Sequence, residues 1–279
     1  MAANPSRKDW RPPPGVGGEF EDAVGGDQAA RLDLSITPVE KTTSVARSTP
    51  MIRWNELDRA QVPDGGGELR LMQRGSEFSI MADRGVELMN SRLSGSEEAL
   101  ARLAWERMGE RDRPHVLIGG LGMGFTLRAA LAVLPQAARV TVAELVPAVV
   151  DWARGPLAGL FAGSLDDART DVRVEDVAGL IAKARGEFDA ILLDVDNGPE
   201  GLTRAANDAL YDAGGLARAA AALRPGGVLA VWSSAPHPRF AAALRASELG
   251  AEEIKTPARA GRRGATHVIW LGSKRAPGA

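Results

Sequence analysis

The chain has 279 residues, of which 44% are hydrophobic and 25% charged, with a formal net charge of -2 and no cysteine. That composition supports one large core domain with a smaller attachment. The near balance of charge excludes bulk attraction to nucleic acid or to an anionic membrane, and the lack of cysteine removes disulfides, thiolate nucleophiles and cysteine-based metal sites together.

The opening stretch MAANPSRKDWRPPPG carries no apolar run of signal-peptide length, and no apolar stretch reaches membrane-spanning length. A cytoplasmic protein is expected. Residues 1–48 contain Pro12-Pro13-Pro14-Gly15 and the pairs Gly17-Gly18 and Gly25-Gly26, with little periodicity, and read as a flexible tail or a lid over a substrate. Residues 49–93 read as a small β domain. Strands are expected over 68–73 and 77–82, joined by the loop Arg74-Gly75-Ser76, with a third over 86–89. Residues 94–114 form a linking helix in this reading, capped by Ser94 or Ser96, with Leu100, Leu103, Ala104 and Met108 at helical spacing.

From 115 to 273 strands and helices alternate, the pattern of a parallel sheet covered on both faces. Strands are expected at 116–118, 140–143, 171–174, 188–193, 228–232, 251–256 and 265–271. Helices are expected at 125–134, after Pro147, at 177–184, around 216–223 and at 239–247, with Arg224-Pro225-Gly226-Gly227 as a turn. The fold class predicted is α/β: a doubly wound seven-stranded, methyltransferase-like sheet with its last strand reversed, preceded by the small N-terminal β domain.

The chemistry concentrates at the carboxyl edge of that sheet, where open α/β folds bind ligands. Gly119-Gly120-Leu121-Gly122-Met123-Gly124 follows the apolar strand Val116-Leu117-Ile118 and precedes a helix, so the backbone can approach a nucleotide closely and helix N–H groups face it. Glu144, with Leu145 beside it, ends the next strand, where a carboxylate can take both hydroxyls of a ribose. Asp176 either accepts from an adenine amino group, with Val177 against the ring, or caps the following helix. Asp194 ends the fourth strand beside the glycine loop and is the candidate to hold or deprotonate an amine. Asp196 and Asn197 either touch substrate or serve the turn that Gly198-Pro199 makes. Histidines 115, 237 and 267 fall on separate elements, so no metal site is expected, and His115 reads as structural. No G-x-S-x-G elbow is present, which disfavours hydrolase chemistry.

These blocks, over roughly 66–233, resemble the spermidine synthase family, in which a small β domain precedes a methyltransferase-like domain that transfers an aminopropyl group from decarboxylated S-adenosylmethionine to a diamine. The glycine loop with Leu127-Arg128 looks like the family's loop, and Glu144 and Asp176-Val177 match its ribose and adenine contacts. Asp194 matches its catalytic aspartate, with Asp196-Asn197 in the same acidic run, and Tyr211 resembles a tyrosine in the segment that follows. Two departures stand out. Met123 replaces the loop aspartate that helps hold the aminopropyl ammonium, and Ser96-Glu97-Glu98 replaces a tyrosine-containing segment near the amine.

An apolar Met123 withdraws one partner of an ammonium and makes room for a methionyl carboxylate, so intact S-adenosylmethionine and methyl transfer to a small amine-containing molecule form the leading expectation. Aminopropyl transfer to a diamine is second, with Glu97, Glu98, Asp194 and Asp196 as an acidic slot. A non-catalytic nucleotide-binding scaffold follows, and an NAD-dependent oxidoreductase comes last. The expected partner is a small molecule, with neither nucleic acid nor membrane. An exposed edge of the small β layer would permit a homodimer.

Overall fold

The computed structural model describes residues 52–195, 198–199, 207–259 and 264–276, all within the compact unit Pro50–Ala279. The expected tail at 1–48, Asp196 and Asn197 lie outside the described residues.

Two sheets are present. The first is an antiparallel meander of β1 (Asn55–Gln61), β2 (Glu68–Arg74), β3 (Glu77–Met81) and β4 (Glu87–Asn90) in sequential order. The β2–β3 loop is tighter than expected: Arg74 pairs with Glu77 in the ladder, leaving Gly75-Ser76 as the turn, with Gly75 at φ 61°. After α1 (Gly95–Met108) come β5 (His115–Gly119), α2 (Phe125–Val133), β6 (Arg139–Glu144), α3 (Pro147–Arg154), α4 (Ala158–Phe161), β7 (Thr170–Val174) and α5 (Val177–Lys183). The second half holds β8 (Phe188–Leu193), α6 (Asp208–Tyr211), α7 (Ala213–Ala222), β9 (Leu223–Ser233), α8 (Pro238–Ala246), β10 (Glu252–Pro257) and β11 (Thr266–Ser273).

The seven-stranded sheet runs β10-β11-β9-β8-β5-β6-β7. The ladders of β5 with β6 and β8, of β6 with β7, and of β8 with β9 are parallel, while β11 is antiparallel to both neighbours. This is the doubly wound, methyltransferase-like order with its reversed strand. The order changes direction at β5, so β5 and β8 leave a crevice at their carboxyl ends.

Side-chain alternation explains why the central strands read as unbroken apolar runs. Val116 and Ile118 of β5 pack into one core layer and Leu117 into the other; Ala190 and Leu192 of β8 divide from Ile191 and Leu193 in the same way. Both faces of these strands are buried, so the two-residue period carries no polar side. One layer also contains Leu71 and Ile80 of the small sheet, which thereby shares its core with the main sheet and is held over its edge.

Three local expectations are corrected. Ser94 stands at the N-cap of α1 without a side-chain cap hydrogen bond, and Ser96 lies inside the first turn with its hydroxyl engaged by Glu97 and His267. Arg224–Gly227 is drawn into the start of β9, where Leu223 pairs with Phe188 and the register shifts before Ala190. The small sheet has an additional strand, β1, whose polar sequence is held by its ladder to β2 and by Trp152 Nε1 donating to Asp58 at 2.7 Å. Among the described residues no helix is long and apolar enough to cross a membrane.

Candidate active site

The crevice at the ends of β5 and β8 gathers carboxylates from several elements. Asp194 comes first. Its N–H donates to the Gly119 carbonyl at 2.9 Å, and its Oδ2 accepts from Thr126 Oγ1 at 2.6 Å. The first turn of α2 therefore fixes the carboxylate that β8 delivers. Gly120 lies at φ 91°, and a Cβ there would run into the Asp194 carbonyl, so this approach of the two strand ends requires glycine.

Glu97, from the first turn of α1, lies beside Asp194. It is only 6% exposed. Burial, and after it the charge of Asp194, push its pKa up from 4.5 to about 7, with the Ser96 hydrogen bond opposing. Burial also raises Asp194, to about 6, against the Thr126 hydrogen bond. Two neighbouring carboxyls shielded from water resist simultaneous ionisation, so the pair carries a proton near neutral pH.

Ser96 Oγ donates to Glu97 Oε2 at 2.6 Å and lies 2.8 Å from His267 Nδ1. His267, on β11, stands edge-on to Trp232 with ring centroids 4.9 Å apart, and burial holds its pKa below the usual imidazole range. Glu97, Asp194, Trp232 and His267 line one cavity together with Glu87. Glu87 accepts from Ser79 Oγ at 2.6 Å and Asn90 Nδ2 at 3.0 Å and pairs with Arg92 at 3.3 Å.

Asp194 and Met89 also line an adjoining cavity over the glycine loop. Its floor includes Gly120, Gly122, Glu144, Leu145 and Val177, and the small sheet roofs it with Leu69, Ile80 and Met89. Gly122, at φ 50°, admits the Met89 thioether, whose sulfur would lie 2.6 Å from a Cβ at that position. Glu144 is buried, with Oε2 accepting from Leu121 N at 2.9 Å and Oε1 from Val146 N at 2.8 Å. Burial raises its pKa and these backbone donors oppose the rise. Asp176 lines the same cavity and also caps α5, accepting from Ala178 N at 2.9 Å. Among the described residues lining the two cavities there is no lysine or arginine.

Several expected site residues stand elsewhere. The Met123 side chain is fully buried in the core and does not line the cavity, because successive residues of the loop face opposite sides and Gly122 takes the cavity side. Glu98 is exposed and borders a separate depression with Arg102 and Arg128; helical geometry turns it away when its neighbour Glu97 faces inward. Gly119 and Gly124 support the loop from behind: a Cβ at Gly119 would meet Val177 and Leu193, and one at Gly124 would meet Phe161. Tyr211 is buried against Phe240, edge-on at 5.5 Å. His115 is buried, 3.0 Å from Thr141 Oγ1 through Nε2 and 4.7 Å from the Phe188 ring.

The sequence reading missed Thr126, Ser96 and His267. Thr126 sits two residues beyond the glycine loop, where a first-turn hydroxyl was a usable signal. His267 is 171 positions from Ser96, and only the sheet order brings the two together.

Comparison with known proteins bears on this geometry. The family model described as the spermine/spermidine synthase domain matches residues 96–244. A polyamine aminopropyltransferase of Mycobacterium tuberculosis is 29% identical over 174 residues, covering 61% of this chain and 31% of the relative. Polyamine aminopropyltransferase 2 of Pseudomonas aeruginosa is 30% identical over 178 residues, covering 60% of this chain and 48% of the relative. The crystal structure of spermidine synthase from Thermotoga maritima superposes with a TM-score of 0.61 at 20% identity, over 78% of this chain and 72% of that one, a likeness of fold. The chain spans less than half the length of these two curated relatives. The expectation of methyl transfer is overturned by these matches: the family model and the curated relatives are of aminopropyl-transfer type.

Proposed function

The chain belongs to the spermine/spermidine synthase family, whose domain covers residues 96–244, and from this premise we propose that it transfers an aminopropyl group from decarboxylated S-adenosylmethionine to a small amine acceptor. The observation that carries the reading is the neighbouring carboxyls of buried Glu97 and of Asp194, which lines both cavities, with no lysine or arginine among the described lining residues. A decarboxylated donor presents a sulfonium and a free ammonium, both suited to this acidic wall. An intact donor would bring a carboxylate with no cationic partner among the described lining residues, at a cost on the order of several kcal/mol.

The residues present fit such a donor. The Glu144 carboxylate accepts from the Leu121 and Val146 N–H groups, with those of Gly122 and Leu145 also acting on it, and it lines the cavity where a ribose would present its hydroxyls. Asp176 and Val177 stand where an adenine amino group and ring would meet the cavity wall. Gly120 and Gly122 allow close approach, Leu145 supplies apolar contact, and Glu97 takes the ammonium-holding part that Met123 cannot. Once bound, the donor supplies an electrophilic methylene on a positively charged sulfur.

The remaining work is proton chemistry by this chain's own groups. A primary amine acceptor arrives as an ammonium and must lose one proton before its lone pair can form the new C–N bond. Asp194 is the base: Thr126 occupies Oδ2, which leaves Oδ1 for the acceptor. Burial raises the Asp194 pKa, which strengthens it as a base once ionised. The apolar roof formed by Leu69, Ile80 and Met89 excludes water from the reacting centre.

Calorimetric titration of the whole chain with the two donor forms side by side tests the assignment. The decarboxylated form is expected to bind about tenfold or more tightly than S-adenosylmethionine, a difference of about 1.4 kcal/mol. The reverse preference would refute it.

A further inference from the structure

Resting on the reading above, we propose that Ser96 and His267 form a proton exit from the carboxyl pair to solvent. In aminopropyl transfer the acceptor ammonium loses one proton, the new C–N bond forms as the C–S bond breaks, and the sulfonium becomes a neutral thioether. The product secondary amine keeps its positive charge. One proton per turnover is therefore left on the base, Asp194, which shares a cavity with Glu97 and His267.

The contacts supply a route. Thr126 Oγ1 donates to Asp194 Oδ2 at 2.6 Å and lies 3.4 Å from the Glu97 backbone carbonyl oxygen, which holds the two acidic segments together without itself carrying the proton. The proton passes from Asp194 to the Glu97 carboxyl across the cavity that both line. From Glu97 Oε2 the hydrogen bonds continue through Ser96 Oγ at 2.6 Å to His267 Nδ1 at 2.8 Å. A serine hydroxyl both accepts and donates. With Glu97 protonated, its O–H donates to Ser96 Oγ and the Ser96 O–H donates to Nδ1; shifting both protons leaves an ionised Glu97 and an imidazolium.

The imidazolium releases its other proton from Nε2 to water, and exchange of the neutral ring's tautomers with solvent restores the starting arrangement. His267 is only partly buried and lines the cavity that contains Glu97 and Asp194. The charged groups acting on this chain are Asp194, Glu87 on β4, which is already paired with Arg92, and Glu98 on α1, which points away into a separate depression yet still raises Glu97 through its charge. Glu97 holds the pair's proton more readily than Asp194, its passage to His267 runs uphill because burial lowers the imidazole's affinity, and the same lowering makes the imidazolium shed its Nε2 proton to water readily.

Ser96 is held at both ends of its hydroxyl, by Glu97 and by His267. Ser96 therefore acts as a positioning residue and His267 as the terminal carrier.

The test has two arms on the full chain. In the first, histidine side chains are labelled with nitrogen-15 and followed by NMR through pH, with His267 assigned from a His267→Gln variant. Glu97→Gln is expected to move the His267 midpoint to lower pH, and Ser96→Ala to change its tautomer balance, in proteins whose amide spectra otherwise match the parent. Unchanged His267 titration and tautomer in both variants would overturn the proposal. In the second arm, His267→Ala is expected to lower kcat about tenfold or more while leaving the KM for the donor in place, with free imidazole in the buffer restoring turnover. Parental kcat, or a loss that imidazole leaves untouched, would overturn it. If no amine is turned over by the parent, the functional reading fails, and the NMR arm still decides the relay.

Discussion

Replacing Glu97 by glutamine separates the electrostatic account of the site from a purely steric one. The Glu97 pKa in the folded chain is raised from 4.5 to about 7, chiefly by burial and then by Asp194. At about 1.4 kcal/mol per pH unit, the shift corresponds to roughly 3 kcal/mol once Glu97 is ionised in the folded state. Between these two pH values the folded chain holds more of this proton than the unfolded chain does, so stability falls as pH rises through that window. A glutamine has no such slope, and its amide oxygen can still accept from the Ser96 hydroxyl. Glu97→Gln is expected to be more stable than the parent by roughly 2 to 3 kcal/mol at pH 8, with the gap closing toward pH 4.5. Urea unfolding followed by tryptophan fluorescence at a series of pH values measures it. A stability difference that does not change with pH, or a variant less stable than the parent at pH 8, would refute the reasoning.

Glu144→Gln leaves an amide N–H₂ facing either Leu121 N–H or Val146 N–H, so it should cost about 1 to 3 kcal/mol of stability as well as weakening donor binding, read by unfolding and calorimetry. An unchanged donor affinity would remove Glu144 from the ribose role. Thr126→Val deletes the donor that lowers the Asp194 pKa and should move the acidic limb of the kcat/KM profile upward by about one pH unit. An unmoved limb would mean that Asp194 is not the titrating base. Met123→Asp places a charge in a fully buried position and should destabilise the fold by about 3 kcal/mol or more, with no gain in preference for a decarboxylated donor in any protein that remains folded. Improved preference would show that the side chain reaches the cavity.

The parts of this molecule that could be read from sequence are those whose local pattern and tertiary role agree. Val116-Leu117-Ile118 and Ile191-Leu192-Leu193 are apolar throughout because both faces of β5 and β8 are covered, and the glycine loop and Asp194 follow them at the crevice. β1 had no such signature. Six of its residues are exposed and one is partly buried, so the strand exists through backbone pairing and the Trp152–Asp58 hydrogen bond, neither of which leaves a period in the sequence.

The site divides in the same way. Glu144, Asp176 and Asp194 occur at strand ends, where position alone marks them. Which of Glu97 and Glu98 faces Asp194 depends on the rotation of α1 about its axis, and the first turn offered a carboxylate on either side. Met123 stands at the loop position of the family's aspartate by motif resemblance, but Gly122, at φ 50°, lines the cavity and the Met123 side chain enters the core. His267 depended on the reversed β11 crossing back beside β9, a long-range pairing that composition cannot reveal.

The central claim is the identity of the transferred group, and product analysis tests it most directly. The whole chain would be incubated with a diamine and with each donor form in turn, and the nucleoside product identified by mass spectrometry. The account predicts methylthioadenosine, together with an acceptor heavier by one aminopropyl group, from decarboxylated S-adenosylmethionine. It predicts no methylated amine from S-adenosylmethionine. S-adenosylhomocysteine and a methylated acceptor, with no aminopropylated product, would contradict it.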